Sequence, residues 1–110
     1  MPLSARVRVE VYLPDLPKRA YQHLLDSLEE EFTHTFGGST VSHGLRGSYL
    51  SRLGFAMRDR VSLIYSDLPL TIEVDRELIS RYTEYLREAA FRALDEEAIL
   101  VVIIPVYHAE

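Results

Sequence analysis

Residues 6–13 read RVRVEVYL, and no other stretch restricts the fold so tightly. Val7, Val9, Val11 and Leu13 alternate strictly with Arg6, Arg8, Glu10 and Tyr12. A period of two sends one set to each side of an extended chain, so the segment predicts a strand with one apolar face. Pro14 and Pro17 end it. The period then changes. Over residues 18–36, Tyr21, Leu24, Leu25, Leu28, Phe32 and Phe36 recur at spacings of three and four. That is the stripe of an amphipathic helix. Gly37 follows its last member, where a residue of positive φ closes a helix without a Cβ penalty.

Residues 39–51 predict a long, bulged strand, with turn signals at His43-Gly44 and Gly47. After a turn near Gly54, VSLIYS (residues 61–66) predicts a third strand, with Val61, Leu63 and Tyr65 expected toward the core. Asp75 is the expected N-cap of a second helix, with Val74 stapled onto Ile79. That helix extends to about Asp95 along a stripe of Leu78, Ile79, Tyr82, Leu86, Ala89, Ala90, Ala93 and Leu94. Residues 98–107 predict a last strand, apolar on both faces and interrupted by Pro105.

The order is therefore β-α-β-β-α-β. Two amphipathic helices and one two-faced strand pattern imply an antiparallel sheet with both helices on one side. The arrangement resembles the ferredoxin-like superfold, in the α+β class, and a chain of 110 residues implies a single domain spanning 1–110. Many unrelated functions share that architecture. The last strand falls at an edge, where an uncovered apolar surface invites association. A homodimer is the expected assembly.

Composition removes several kinds of chemistry. There is no cysteine, which excludes disulfides, thiol catalysis and thiolate metal sites. The longest apolar run is too short to span a bilayer, and the first residues lack a signal-peptide core, so a cytoplasmic protein with no membrane partner is expected. The net charge is −5, against general affinity for nucleic acid. With Tyr12 as the one aromatic expected on the open side of the sheet, no nucleic-acid partner is expected either.

The charge is unevenly placed. Positions 32–58 hold three arginines and no acid, so they carry +3 and the rest of the chain −8. Arg46, Tyr49 and Arg52 with His43 and His34 of that island, and Tyr12 from the first strand, are the candidate ligand-binding residues. Arginine presents a planar fork matched to carboxylates and phosphates. Arg58 and Arg60 extend the same hairpin. The pattern suggests a small dimeric binding or regulatory module that takes an anionic small molecule or an acidic partner. One alternative is a small dimeric α/β-barrel-type enzyme whose pocket, between sheet and helices, is lined by Tyr12, His34, His43 and Tyr49. A purely structural protein-interaction domain is another.

Gly37-Gly38 is no phosphate cradle, since it follows a helix rather than preceding one. Neither GxGxxG nor GxxxxGK[ST] occurs, and no cofactor is expected. Glu30, His34 and His43 are the nearest approach to a metal set, but without HExxH no metal is expected. No GxSxG elbow supports a serine nucleophile, and the catalytic residues, if any, are unassigned.

Overall fold

A computed structural model describes residues 2–95 and 99–110. The elements are β1 (Leu3–Pro14), α1 (Arg19–Phe36), β2 (Thr40–Leu50), β3 (Ala56–Leu68), α2 (Ile72–Leu94) and β4 (Leu100–Ala109). The expected beginning of the last strand at Ala98 lies outside the described residues. The four strands form one sheet in the order β2-β3-β1-β4, with every neighbouring pair antiparallel. The fold is ferredoxin-like α+β. β4 lies at an edge, which is where Pro105 is tolerated, because its missing N–H faces no neighbour.

β1 organises the core. Val7, Val9, Val11 and Leu13 are all fully buried under the helices. Against them pack Tyr21, Leu24, Leu25, Leu28 and Phe32 of α1, and Leu86, Ala90 and Leu94 of α2. Val101 and Ile103 of β4 pack beside this cluster.

The face of β3 is the reverse of the expected one. Val9 stands opposite Ser66, Val11 opposite Ile64 and Leu13 opposite Ser62. Directly opposed residues share a face, so Ser62, Ile64, Ser66 and Leu68 are the buried set. Val61, Leu63 and Tyr65 lie on the open side with Arg8, Glu10 and Tyr12. Two buried serines are tolerable because both hydroxyls are satisfied. Ser62 bonds to the Tyr21 hydroxyl and to His43 Nδ1 at 3.1 Å, and Ser66 donates to the Gly38 carbonyl at 2.6 Å.

Helix ends follow local chemistry. Gly37 adopts φ 93° and its N–H bonds the Thr33 carbonyl at 3.0 Å, closing α1 in the left-handed conformation that the sequence predicted. α2 begins a turn earlier than expected, with Thr71 rather than Asp75 as N-cap. Asp75 lies inside the helix at φ −110° and ψ 19°, where its carboxylate accepts the Thr71 N–H at 3.0 Å. It thus serves the helix start from within, and the chain kinks there. Val74 is 82% exposed and makes no staple, since the earlier start turns it away from Ile79. Leu78, expected in the stripe, is also exposed, whereas Ile79 is buried.

Candidate functional site

The hairpin of β2 and β3 outruns the rest of the sheet. β1 pairs with β3 only as far as Pro14 opposite Val61, so β3 from Ala56 to Arg60 and its partners on β2 project as an arm. Its two faces are set by one irregularity. The register shifts between Ser42 and Leu45, and Gly44 adopts φ 70° there. An extra residue in one strand reverses which side the following residues take. Val41, before the shift, packs against the core under the helices. Leu45, after it, stands opposite Val61 on the open side. Gly47 opposite Asp59 and Tyr49 opposite Met57 continue that face. Arg46 opposite Arg60, and Ser48 opposite Arg58, take the other.

Between the arm and the nearby ends of β1 and β4 lies a groove of about 640 Å³. Tyr12, Leu45, Tyr49, Val61 and Leu100 give it apolar walls, while Arg46 and Asp59 contribute to its lining. Burial and the neighbouring Glu10, whose carboxylate accepts the Tyr12 hydroxyl at 3.0 Å, hold the Tyr12 phenol above its ordinary pKa. The groove is an apolar slot with the Asp59 carboxylate on its own face and Arg46 at its margin, on a residue that takes the opposite face of the arm.

Of the six candidate residues, Tyr12 and Tyr49 meet here, and Arg46 borders the groove from the strand while taking the other face. Arg52 sits beyond them in the turn at the arm's tip. The histidines do not join. His34 lies near the end of α1 in a shallow depression of about 320 Å³ with Asp26, Glu29, Glu30 and Thr33. His43 is on the helix side, bonded to Ser62. The pocket expected between sheet and helices, shared by Tyr12, Tyr49 and both histidines, is therefore not assembled: the bulge sends Tyr49 to one side of the sheet and His43 to the other. Glu30 and His34 share the depression on α1 without His43. Among the described residues no three His, Asp or Glu side chains converge to hold a metal ion.

Sequence reasoning missed a second polar group at the opposite end of the open face. Arg8 donates to both carboxylate oxygens of Asp67, at 2.7 and 3.1 Å, and its guanidinium lies 4.2 Å from the centre of the Tyr65 ring. His108 Nε2 stands 2.7 Å from Asp67 Oδ2. The hydrogen bonds from Arg8 hold the Asp67 carboxyl below the usual carboxylate range. A depression of about 240 Å³ adjoins this group, lined also by Gly37, Gly38 and Thr40. Cross-strand register was the signal needed to find it. Tyr65 brings a further tyrosine to the open face of the central strands, but Arg8 covers its ring.

No family model matches the sequence. No curated protein matches it. Solved structures do resemble the fold. CutA1 from Oryza sativa is 16% identical with a TM-score of 0.61, the match covering 96% of this chain and 84% of that one. The divalent cation tolerance protein from Thermus thermophilus is also 16% identical, with a TM-score of 0.60 and coverage of 96% and 87%. CPII, a nitrogen regulatory PII-like protein from Thiomonas intermedia bound to ADP, AMP and bicarbonate, is 17% identical. Its TM-score is 0.53, over 99% of this chain and 100% of that one. At such identities the likeness establishes the fold.

Proposed function

We propose that this chain is a small self-associating regulatory module that binds an anionic small molecule in the groove at the base of the arm. The observation that carries the reading is the meeting of Tyr12 and Tyr49 on one apolar slot with Arg46 at its margin, where the acid-poor segment of an acidic chain approaches the first strand. A phenol pair gives flat apolar contact to a ring, and a guanidinium attracts phosphate or carboxylate. That a PII-like protein of this fold holds ADP, AMP and bicarbonate supports this ligand class.

Self-association rests on the open face. Leu100 and Ile104 are exposed on the outward side of β4, and Leu45, Tyr49 and Met57 are exposed on the same side of the arm. An apolar surface of this kind on an otherwise polar chain fits a contact between copies, and the smallest closed assembly is a two-fold homodimer.

Calorimetric titration of the purified protein with ADP, AMP and bicarbonate tests the ligand. Binding of at least one is expected, weakened strongly by Arg46→Ala and by Tyr49→Ala, with circular dichroism unchanged. If none of the three binds the wild type, the reading falls.

A further inference from the structure

The far end of the arm has a different character from the groove. Residues 51–55 close a tight turn: Ser51 N–H bonds the Phe55 carbonyl at 2.8 Å, Gly54 N–H bonds the Ser51 carbonyl at 3.0 Å, and Ser51 Oγ accepts the Phe55 N–H at 3.1 Å. This clamp holds the tip in one shape, and that shape presents apolar side chains to water. Leu50 is 73% exposed, Leu53 83% and Phe55 65%.

Behind the tip, Arg46 and Arg60 stand directly opposite each other, with Arg58 two residues along on the same face. Like charges placed opposite one another across a strand pair disfavour the hairpin. Nothing local compensates them: all three are exposed, and among the described residues none has an ion-pair partner. Asp59, between Arg58 and Arg60 in sequence, points to the other face with Gly47.

We infer that the arm seats on an anionic lipid surface, with Leu50, Leu53 and Phe55 entering the headgroup boundary and Arg58 and Arg60 meeting the phosphates. Apolar insertion and a basic patch are two signals, and stable attachment at a membrane surface takes two. The charge distribution sets the orientation. An arm within a +3 segment points at the negative surface while the −8 remainder is held away from it. A bilayer accounts for both halves of the pattern. A nucleic acid would meet the arginines but would leave three apolar side chains in water. The sequence expectation of no membrane partner rested on the lack of a spanning segment. No helix of the described residues is long and apolar enough to cross a membrane, and a hairpin lying in the surface needs none.

The sequence contains no tryptophan, so Phe55→Trp introduces a single reporter at the tip. With phosphatidylcholine vesicles containing phosphatidylserine, the emission of that variant is expected to shift to the blue and the protein to sediment with the vesicles. Phosphatidylcholine alone should bind far less, and salt should weaken the binding. Arg58→Gln with Arg60→Gln should reduce affinity about fivefold per arginine neutralised, and Leu53→Ser with Phe55→Ser should abolish insertion. Neither pair lines the groove, so ligand binding there is expected to survive in both; its failure with lipid binding intact would indict the groove reading alone. Three results overturn the inference: no sedimentation of wild type with serine-containing vesicles, an unshifted emission from the introduced indole, or a tip variant that changes subunit number and leaves lipid binding intact. Tight binding of single-stranded RNA that needs Arg58 and Arg60, without vesicle binding, overturns it too.

Discussion

Replacing Gly37 by alanine isolates a backbone effect from a packing effect. Gly37 closes α1 at φ 93° and ψ −2°, with its N–H on the Thr33 carbonyl. A Cβ built there meets nothing within 4 Å. No steric clash with a neighbour contributes, and the whole cost is that of holding an L-residue at positive φ. That cost is about 1–2 kcal/mol. Stiffening the unfolded chain returns a few tenths to about 1 kcal/mol in a Gly→Ala change only where the native conformation suits alanine, which it does not here. The expected loss is therefore about 1–2 kcal/mol, a fall in Tm of roughly 4–10 °C for a domain of this size. Gly38→Ala is the internal control. Gly38 has no positive φ and also meets nothing within 4 Å, so its effect should stay within about 0.5 kcal/mol. Urea unfolding followed by circular dichroism gives both values, and ligand binding in the groove should be unchanged in each. If Gly37→Ala is neutral, or if the two glycines cost the same, the helix-stop argument is wrong.

Three further outcomes follow from the same contacts. Ser62→Ala strands the buried Tyr21 hydroxyl and should cost about 1–3 kcal/mol; adding Tyr21→Phe should recover part of it, and a fully additive double mutant would refute the coupling. Asp67 has a folded-state pKa below its unfolded value, chiefly through Arg8, so its contribution is present above about pH 4 and is lost as the pH falls through the lower folded value. Acid titration of stability should therefore flatten in Asp67→Asn, and an unaltered acid limb would show that this carboxylate is energetically silent. Ile104→Lys, at an exposed position on the outward face of β4, should reduce subunit number in sedimentation while the circular dichroism spectrum stays native.

The strand and helix order was legible because the strongest patterns were unambiguous. The valines of β1 and the leucine stripe of α1 each fit a single period, and Gly37 closes a helix for a reason visible in one residue. The face of β3 was not legible. In VSLIYS both alternating sets hold apolar residues, and local pattern favoured Val61, Leu63 and Tyr65. The buried assignment is decided by register against β1 and by hydroxyl partners for Ser62 and Ser66, neither of which is encoded nearby. The same limit applies to the site. Arg46, Tyr49 and Tyr12 were named from charge and residue type; all three line the groove, with Arg46 on the opposite face of the arm from Tyr49. Separating Tyr12 and Tyr49 from His43 depended on the bulge at Gly44, whose effect on side-chain direction reaches beyond the residues that cause it. The Arg8–Asp67–His108 group joins three strands and has no signature in any one of them.

Native mass spectrometry of the purified protein reads assembly and retained ligand in a single spectrum. The proposed module should appear as an assembly of two or more chains carrying the added mass of a small anion such as a nucleotide, and Arg46→Ala should leave the assembly and lose that mass. A bare monomer, in wild-type protein supplied with ADP, AMP and bicarbonate at micromolar chain concentration, contradicts both parts of the proposal.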